Sequence, residues 1–372
     1  MREKGILETF DTGLNIDFDV APVKLTDRFG VPPFSILDAR QGYWQTRKNL
    51  WLKLGIQSEL GRGANLLKFS EQATISTGGG KAPAKSYQHQ KASPYSNSKE
   101  IATQVEYYRM DKAKKKYAEC LRTNIGEEYG RKEMSATSIF DPVICELAYR
   151  WFSPPGGWVL DPFSGGSVRG IVASILGRKY VGIDLSEAQV SANYEQWEKI
   201  EERKFAQGLT PPIWISGDSR EVRSHMERNS LSGVRFDFIF SCPPYGNLEV
   251  YSDDPNDLST LSYDIFIQSY GHIIQESCNL LRQDRFACFV VGDFRGPEGY
   301  YRGFPTDTVI AFEDAGLRLY NEGILVTAVG SLPVRINKQF TKNRKLGKTH
   351  QNVFVFHKGE VENIRESFSE EV

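Results

Sequence analysis

Apolar residues recur with two different periods along the second half of the chain. Short apolar runs are typical of buried strands, whereas apolar residues at three- and four-residue spacing are typical of helices. The runs occur at 158–161, 180–184, 213–215, 236–240, 286–291, 320–328 and 352–356. One helical pattern precedes the first run, at 142–151, and others lie between the runs at 168–176, 185–204, 262–281 and 306–315. This alternation predicts an α/β fold with a doubly wound, mostly parallel, seven-stranded sheet.

Local amino-acid composition divides the chain into five regions. Residues 1–62 mix aromatic and basic residues, and 63–100 are rich in Gly, Ser, Ala, Lys and Gln, as in a flexible linker or long loop. Residues 101–136 form a basic, helical connector, 137–358 contain the predicted sheet, and 359–372 form an acidic tail.

Bulk composition excludes several classes of protein. The chain has 372 residues, 46 Lys or Arg, 47 Asp or Glu and 40% hydrophobic residues, which excludes a disordered or fibrous chain. Its five cysteines include no CxxC pair, so we predict no metal site and a reducing compartment. No apolar stretch approaches the ~20 residues that span a bilayer, and we expect a cytoplasmic protein without membrane contact.

Polar or glycine-rich segments follow the first four predicted strands. They are Asp161–Ser167, Asp184, Asp218 and Ser241–Tyr245. In open α/β sheets, ligands bind beyond the carboxyl ends of the strands. Each segment alone is accounted for by a turn, a helix cap or a surface carboxylate, but four in succession favour a ligand site. The glycine loop is neither GxGxxG nor a P-loop, which disfavours dinucleotide and P-loop nucleotide binding.

Two of these segments carry a family resemblance. DPFSGGS at 161–167 and SCPPY at 241–245 resemble the S-adenosylmethionine-dependent amino-methyltransferases of DNA, and the overall pattern is similar to phage-encoded enzymes. The resemblance covers about residues 138–358. It implies a class I methyltransferase fold of the Rossmann-like kind, S-adenosylmethionine as cofactor and DNA as partner. Two departures are Gly165-Gly166 in place of GxG, and Cys242 where the family has Asp, Asn or Ser.

The resemblance also implies roles for individual residues. The methionine end of the cofactor would lie among Asp161, Phe163, Gly165 and Gly166. Asp184 would bind the ribose and Asp218 the adenine amine. A base flipped out of DNA would be held for methylation of its exocyclic amine by Cys242, Pro243, Pro244 and Tyr245.

Cys242 leaves three interpretations open. It replaces Ser as a weak hydrogen-bond acceptor, it is a covalent nucleophile as in C5-cytosine methylation, or it is a buried small residue at a strand end. In the family, Ser here is usual for N4-cytosine enzymes and Asp or Asn for N6-adenine enzymes. Cys is closest in size to Ser, which slightly favours cytosine N4. An RNA or protein-glutamine methyltransferase, and a cofactor-binding protein without activity, remain alternatives.

Basic residues are concentrated between the last two predicted strands. From Gly323 to Gly359 there are seven Lys or Arg and no Asp or Glu, so contact with phosphate is favoured over a solvated loop. The candidate DNA contacts lie in the long connection at 329–350 and are Arg335, Lys338, Lys342, Arg344, Lys345 and Lys348.

The N-terminal region is a second candidate for DNA recognition, since Arg and Lys are also frequent at 28–68. Trp44 and Trp51 are seven residues apart on one helical face, which predicts that they pack into a core. A lysine cluster at 112–116 indicates a further basic, helical surface.

Acidic residues dominate 246–264, which has five Asp or Glu and no Lys or Arg. A lid, a partner for the basic connection in the absence of DNA, and a solvated loop are all compatible with it. Asp293 and Arg295 either line the pocket or form a helix cap and an ion pair. Monomer and homodimer both remain open.

Overall fold

A single sheet with helices on both faces forms the core of the computed structural model, which describes residues 29–56, 140–246, 254–327 and 332–368. The strands are β1 (Ile36–Asp38), β2 (Trp158–Asp161), β3 (Lys179–Asp184), β4 (Ile213–Ser216), β5 (Phe236–Ser241), β6 (Leu281–Val291), β7 (Arg318–Val326) and β8 (His350–Lys358). The helices are α1 (Gly42–Lys53), α2 (Pro142–Phe152), α3 (Val168–Ile175), α4 (Glu187–Glu201), α5 (Val222–Arg228), α6 (Tyr263–Leu280), α7 (Phe304–Asp314), α8 (Leu332–Asn343) and α9 (Ile364–Ser367).

The strand order is β1-β7-β8-β6-β5-β2-β3-β4. Strand β8 is antiparallel to β6 and β7, and every other neighbouring pair is parallel. The predicted α/β class is therefore confirmed. The predicted number of seven strands is wrong by one, because the described residues contain eight. The additional strand, β1, is only three residues long and pairs with the edge of β7, so it leaves almost no periodic signal.

Successive residues of the central strands point to opposite faces of the sheet. In β5, Phe238 and Phe240 face the helices α1 to α4, whereas Ile239 faces α5, α6 and α7. All three side chains are fully buried. The unbroken apolar run of β5 is thus the signature of a strand covered on both faces. None of the described helices is long and apolar enough to span a bilayer.

The N-terminal region contributes β1 and α1 to this fold. Trp44 and Trp51 are buried, as their spacing predicts. The Trp51 indole donates to the Glu146 carboxylate of α2 at 2.8 Å, and Arg47 donates to the same carboxylate through Nε and Nη2, both at 2.7 Å. Arg47, one of the basic residues of 28–68, is therefore engaged in holding the N-terminal helix to the domain.

Glu146 is completely buried. Burial favours the neutral carboxyl, but the hydrogen bonds of Arg47 and the charges of Arg150 and Arg47 outweigh it and hold the pKa of Glu146 below its usual range. The carboxylate is thus ionised in the folded protein. A depressed pKa contributes stability above about pH 4.5, the ordinary value of the group, and this stability is lost as the pH falls through the lower folded value.

Four regions defined from the sequence lie partly inside and partly outside the described residues. The linker at 63–100 and the connector at 101–136, with its lysine cluster, lie outside the described residues. The long connection at 329–350 contains the 12-residue helix α8, which is not among the helices predicted from the sequence. The tail at 359–372 includes the short helix α9.

Arg47→Ala should lower the free energy of unfolding by about 3 kcal/mol, because it removes a principal partner of a buried carboxylate. Urea unfolding at pH 7 measures this. The matched control is Arg40→Ala, which removes a solvent-exposed ion pair with Asp38 and should leave the unfolding midpoint nearly unchanged. Equal effects of the two substitutions would contradict the anchoring role of Arg47.

Candidate active site

The carboxyl ends of β2 and β5 lie side by side at the centre of the sheet. From β2 the sheet continues through β3 to β4, and from β5 it continues in the other direction through β6. This reversal is the topological switch point, where open α/β sheets bind their ligands. The two sequence motifs begin here, since β2 ends in Asp161 and β5 ends in Ser241.

Asp161 is completely buried, and four groups of the protein donate to its carboxylate. Oδ1 accepts from the Ser241 hydroxyl at 2.6 Å and the Phe163 amide at 3.2 Å. Oδ2 accepts from Arg169 Nε at 2.5 Å and the Tyr180 hydroxyl at 2.7 Å. A carboxylate has about four acceptor positions, so these bonds fill it. The side chain of Asp161 is therefore engaged with the protein itself and holds the residues around the site in place.

Arg169 carries the effect of Asp161 to the glycine loop. Its Nη2 donates to the carbonyl oxygens of Phe163 at 2.6 Å and Ser164 at 2.8 Å. Burial lowers the pKa of Arg169, but the neighbouring Asp161 charge outweighs it and keeps the guanidinium ionised. Burial also raises the pKa of Tyr180, whose hydroxyl thus stays a donor. No sequence motif marked Arg169 or Tyr180, since each lies at an apolar position of a buried element.

The glycine loop is attached to the end of β3. Gly165 has φ of +50°, in the left-handed region that favours glycine. Its amide donates to Asp184 Oδ2 at 2.9 Å, and its carbonyl accepts from Asn193 at 2.8 Å. Asp184 also accepts from the Ser186 amide at 2.8 Å. Asp184, whose carboxylate is predicted to bind the ribose, thus lies beside the loop and is partly exposed.

Asp218 lies one strand further along the same edge, since Asp184 is paired with Ser216 of β4. Its carboxylate accepts two hydrogen bonds from Arg220 Nε, at 3.0 and 2.8 Å, and is partly exposed. Burial raises the pKa of Asp218, but the hydrogen bonds and charge of Arg220 outweigh it, so the pKa lies below its usual range. Arg220 also donates to Asn256 at 3.0 Å, which links this carboxylate to the acidic segment.

Tyr245, in the segment after Ser241, has neighbours from several elements of the fold. The Cys242 sulfur is partly buried and lies 3.8 Å from the Tyr245 hydroxyl, which also accepts a hydrogen bond from Gln351 of β8. The Tyr245 ring lies against the backbone of Gly292 at the end of β6, where a Cβ would come within 3.5 Å of it. Phe304 makes an edge contact with the same ring at 6.1 Å. Gln351 carried no signal in the sequence, because only the fold brings β8 beside β6.

Part of this constellation matches a known family. Residues 76–195 match the model of a family described as DNA methylase, a range that includes the glycine loop and Asp184 and ends before Cys242. The resemblance to DNA amino-methyltransferases is confirmed. The mostly parallel sheet with helices on both faces fits the predicted Rossmann-like fold. The likeness to phage-encoded enzymes stays a prediction, and no curated protein matches the chain.

Solved structures of several methyltransferases are distantly similar to the chain. TrmN from Thermus thermophilus is 19% identical with a TM-score of 0.37, and the match covers 59% of this chain and 49% of that one. A TehB-like S-adenosylmethionine-dependent methyltransferase from Corynebacterium glutamicum is 18% identical with a TM-score of 0.34, over 60% and 89% of the respective chains. The match thus spans about half the length of the Thermus protein.

The residues at the switch point fit S-adenosylmethionine, the cofactor that the family match implies. Two partly exposed carboxylates, Asp184 and Asp218, lie at neighbouring strand ends. Carboxylates accept the hydrogen bonds that a ribose diol and an adenine amine donate. In addition, the buried Ser164 hydroxyl in the glycine loop has no hydrogen-bond partner within the described part of the chain.

The predicted DNA-contacting residues differ in exposure. Lys338 and Lys342 are exposed and four residues apart on α8, and Arg344 is also exposed. Lys345 is partly exposed, and the side chain of Arg335 lies outside the described part of the structure. Lys348 points inward, where its ammonium donates to the carbonyl oxygen of Asp293 at 3.1 Å.

Of the two interpretations of Asp293, the structure supports the helix cap. Its carboxylate accepts from the amides of Gly303 and Phe304 at the start of α7, at 3.1 and 3.3 Å. In the acidic segment, Asp254 and Asp257 accept from amides two residues further on, at 2.8 Å each, as in ordinary turns.

Tyr180→Phe should reduce the free energy of unfolding by about 1.5–3 kcal/mol, the usual contribution of a hydrogen bond to a charged group. Thermal or urea unfolding checks it. Tyr320→Phe is the matched control, because Tyr320 is 42% exposed at the opposite end of the sheet and should tolerate the change. Indistinguishable stabilities of Tyr180→Phe and wild type would show that Asp161 does not depend on this donor.

Proposed function

We propose that the protein transfers the methyl group of S-adenosylmethionine to an exocyclic amine of a flipped base in DNA, with cytosine N4 favoured over adenine N6. The observation that carries the proposal is the 2.6 Å hydrogen bond between Ser241 and Asp161. It joins the strand that leads into the glycine loop to the strand that leads into SCPPY. Donor and acceptor of the methyl group would therefore meet at one point of the sheet.

The target amine needs help from the protein because its lone pair is delocalised into the base. Hydrogen-bond acceptors on its N–H groups would localise that lone pair. The Pro243 carbonyl is a suitable acceptor, since the two successive prolines each fix their φ. Tyr245 would stack on the flipped base, and its hydroxyl is held by Gln351. Cys242 would be a second, weaker acceptor.

The cofactor supplies an electrophilic methyl group, and the protein would position it. Phe163, Gly165 and Gly166 would surround its methionine end. Asp184 would bind the ribose hydroxyls and Asp218 the adenine amine. Asp161 would act indirectly, by fixing the loop through Arg169.

Exposed basic residues between β7 and β8 support DNA as the substrate. Lys338, Lys342 and Arg344 lie in or just after α8, in a stretch without Asp or Glu. Neutralisation of phosphates by such side chains gives affinity without sequence preference. The cytosine preference is supported by the size of Cys242, which is close to that of the Ser in N4-cytosine enzymes.

Methyl transfer to defined substrates tests the proposal. Purified protein with labelled S-adenosylmethionine is offered duplex DNA, RNA of the same sequence, and a glutamine-containing peptide. We expect label in DNA, with N4-methylcytosine as the product by nucleoside mass spectrometry. Tyr245→Ala should reduce transfer about tenfold to hundredfold through lost stacking, and Tyr320→Ala should not.

Each other result contradicts a defined part of the proposal. Label in RNA or peptide alone would overturn DNA as substrate, and N6-methyladenine would overturn the cytosine preference. Cofactor binding by calorimetry without transfer to any substrate would indicate a protein that has lost activity.

Cys242→Ser should retain at least about a third of wild-type transfer, because a hydroxyl is no weaker as an acceptor than a thiol. Initial rates on duplex DNA measure this. Complete loss in the variant, together with a covalent protein–DNA adduct in wild type, would instead establish Cys242 as a nucleophile.

A further inference from the structure

A tight hairpin follows the end of β6. It lies beside SCPPY at 241–245, which we call the base motif. Arg295 and Tyr301 form its antiparallel bridge, and the Arg302 amide donates to the Phe294 carbonyl at 2.9 Å. At the turn, the Gly299 amide donates to the Gly296 carbonyl at 2.9 Å. Gly299 has φ of +90°, which permits this sharp reversal.

Two cations lie over the Tyr301 ring of the hairpin. The Arg295 guanidinium lies 3.9 Å from the centroid of the Tyr301 ring, and the Lys348 ammonium lies 5.7 Å from it. Arg295 also donates to the Gly299 carbonyl at 2.9 Å. A Cβ at Gly299 would lie 2.9 Å from the Lys345 ammonium, so the turn is in contact with the segment after α8. The hairpin is thus bordered by positive charge, and the one carboxylate of its turn, Glu298, lies 3.9 Å from Arg302.

The root of the hairpin contacts the base motif. The buried Phe294 ring lies against Gly246, directly after Tyr245, where a Cβ would come within 2.9 Å of it. Gly292, two residues before Phe294, lies under the Tyr245 ring. A strand advances about 3.3 Å per residue, so the hairpin tip projects only a few residues beyond the motif.

Tyr300 stands at this tip and is 79% exposed, more than any other large apolar side chain in the described residues. Its neighbour Tyr301 packs between cations, whereas Tyr300 contributes little to the packing of the domain. A large, exposed aromatic ring on a hydrogen-bonded hairpin with flanking cations has the properties of the wedges that nucleic-acid-binding proteins insert between base steps.

We propose that Tyr300 enters the stack of duplex DNA at the place that the target base vacates when it swings towards Tyr245. This rests on the proposed function and adds to it the residue that stabilises the opened duplex. The ring would stack on the neighbouring bases, and Arg295, Lys345 and Arg344 would face the flanking phosphates. Tyr300 is then a positioning residue, and it does not touch the reacting atoms.

The test compares transfer on two duplexes that share the methylated sequence found by product mapping. In one, the target base is paired; in the other, it lies opposite an abasic site and needs little help to leave the stack. Tyr300→Ala should lower kcat/KM on the paired duplex about tenfold or more, and on the abasic duplex less than about twofold. Tyr300→Phe should behave as wild type, and Tyr320→Ala is the matched exposed-tyrosine control.

A fluorescent base analogue, 2-aminopurine at the target position, gives an independent readout. Wild type should increase its emission by unstacking it, and Tyr300→Ala should not. Equal losses on both duplexes, or no loss on either, would overturn the wedge while leaving the proposed function intact. Absence of DNA methylation by wild type would contradict the proposed function itself, and the wedge with it.

Discussion

The buried carboxylate of Asp161 is the constraint on which the site depends. A carboxylate without solvent is costly unless it is fully paired, and here Arg169, Tyr180, Ser241 and the Phe163 amide all donate to it. Those donors come from different parts of the chain that must meet in one geometry. The order of β2, β3 and β5 is therefore coupled to the shape of the glycine loop.

In this arrangement, the carboxylate that supports the loop is a different one from the carboxylates that are accessible to a ligand. Asp161 is buried and its acceptor positions are filled, so its role is to hold the loop. Asp184 ends β3 and Asp218 follows the end of β4 by two residues, and both carboxylates are partly exposed. A second buried carboxylate, Glu146, does for the N-terminal helix what Asp161 does for the site, through its pair with Arg47. In both places one acidic side chain fixes elements that are far apart in sequence.

Much of the fold follows from the sequence because its signals are local. The apolar run of β5 marks a doubly covered strand, Asp141 and Pro142 mark the start of α2, and the spacing of Trp44 and Trp51 marks a buried helix face. The methyltransferase resemblance is carried in the same local way, by DPFSGGS and SCPPY.

What the sequence does not reveal depends on tertiary contacts. Strand β1 is defined by its pairing with β7. Helix α8, by contrast, has Leu332, Ile336 and Phe340 at four-residue spacing, a local signal that its basic composition masks. The saturation of the Asp161 carboxylate has no local signal, because its donors Tyr180 and Ser241 are 19 and 80 residues away. Tyr300 is conspicuous only once its exposure is known.

The most direct test of this account is the affinity of Ser241→Ala for S-adenosylmethionine, measured by calorimetry without any methyl acceptor. Ser241 lies on the strand that leads to the base motif, and within the described residues its hydroxyl is linked to the glycine loop through Asp161. The account predicts binding weakened about tenfold, with Ser174→Ala, a buried serine whose hydroxyl donates to the Thr210 carbonyl, close to wild type. Wild-type affinity in Ser241→Ala would contradict the claim that one carboxylate organises both halves of the site.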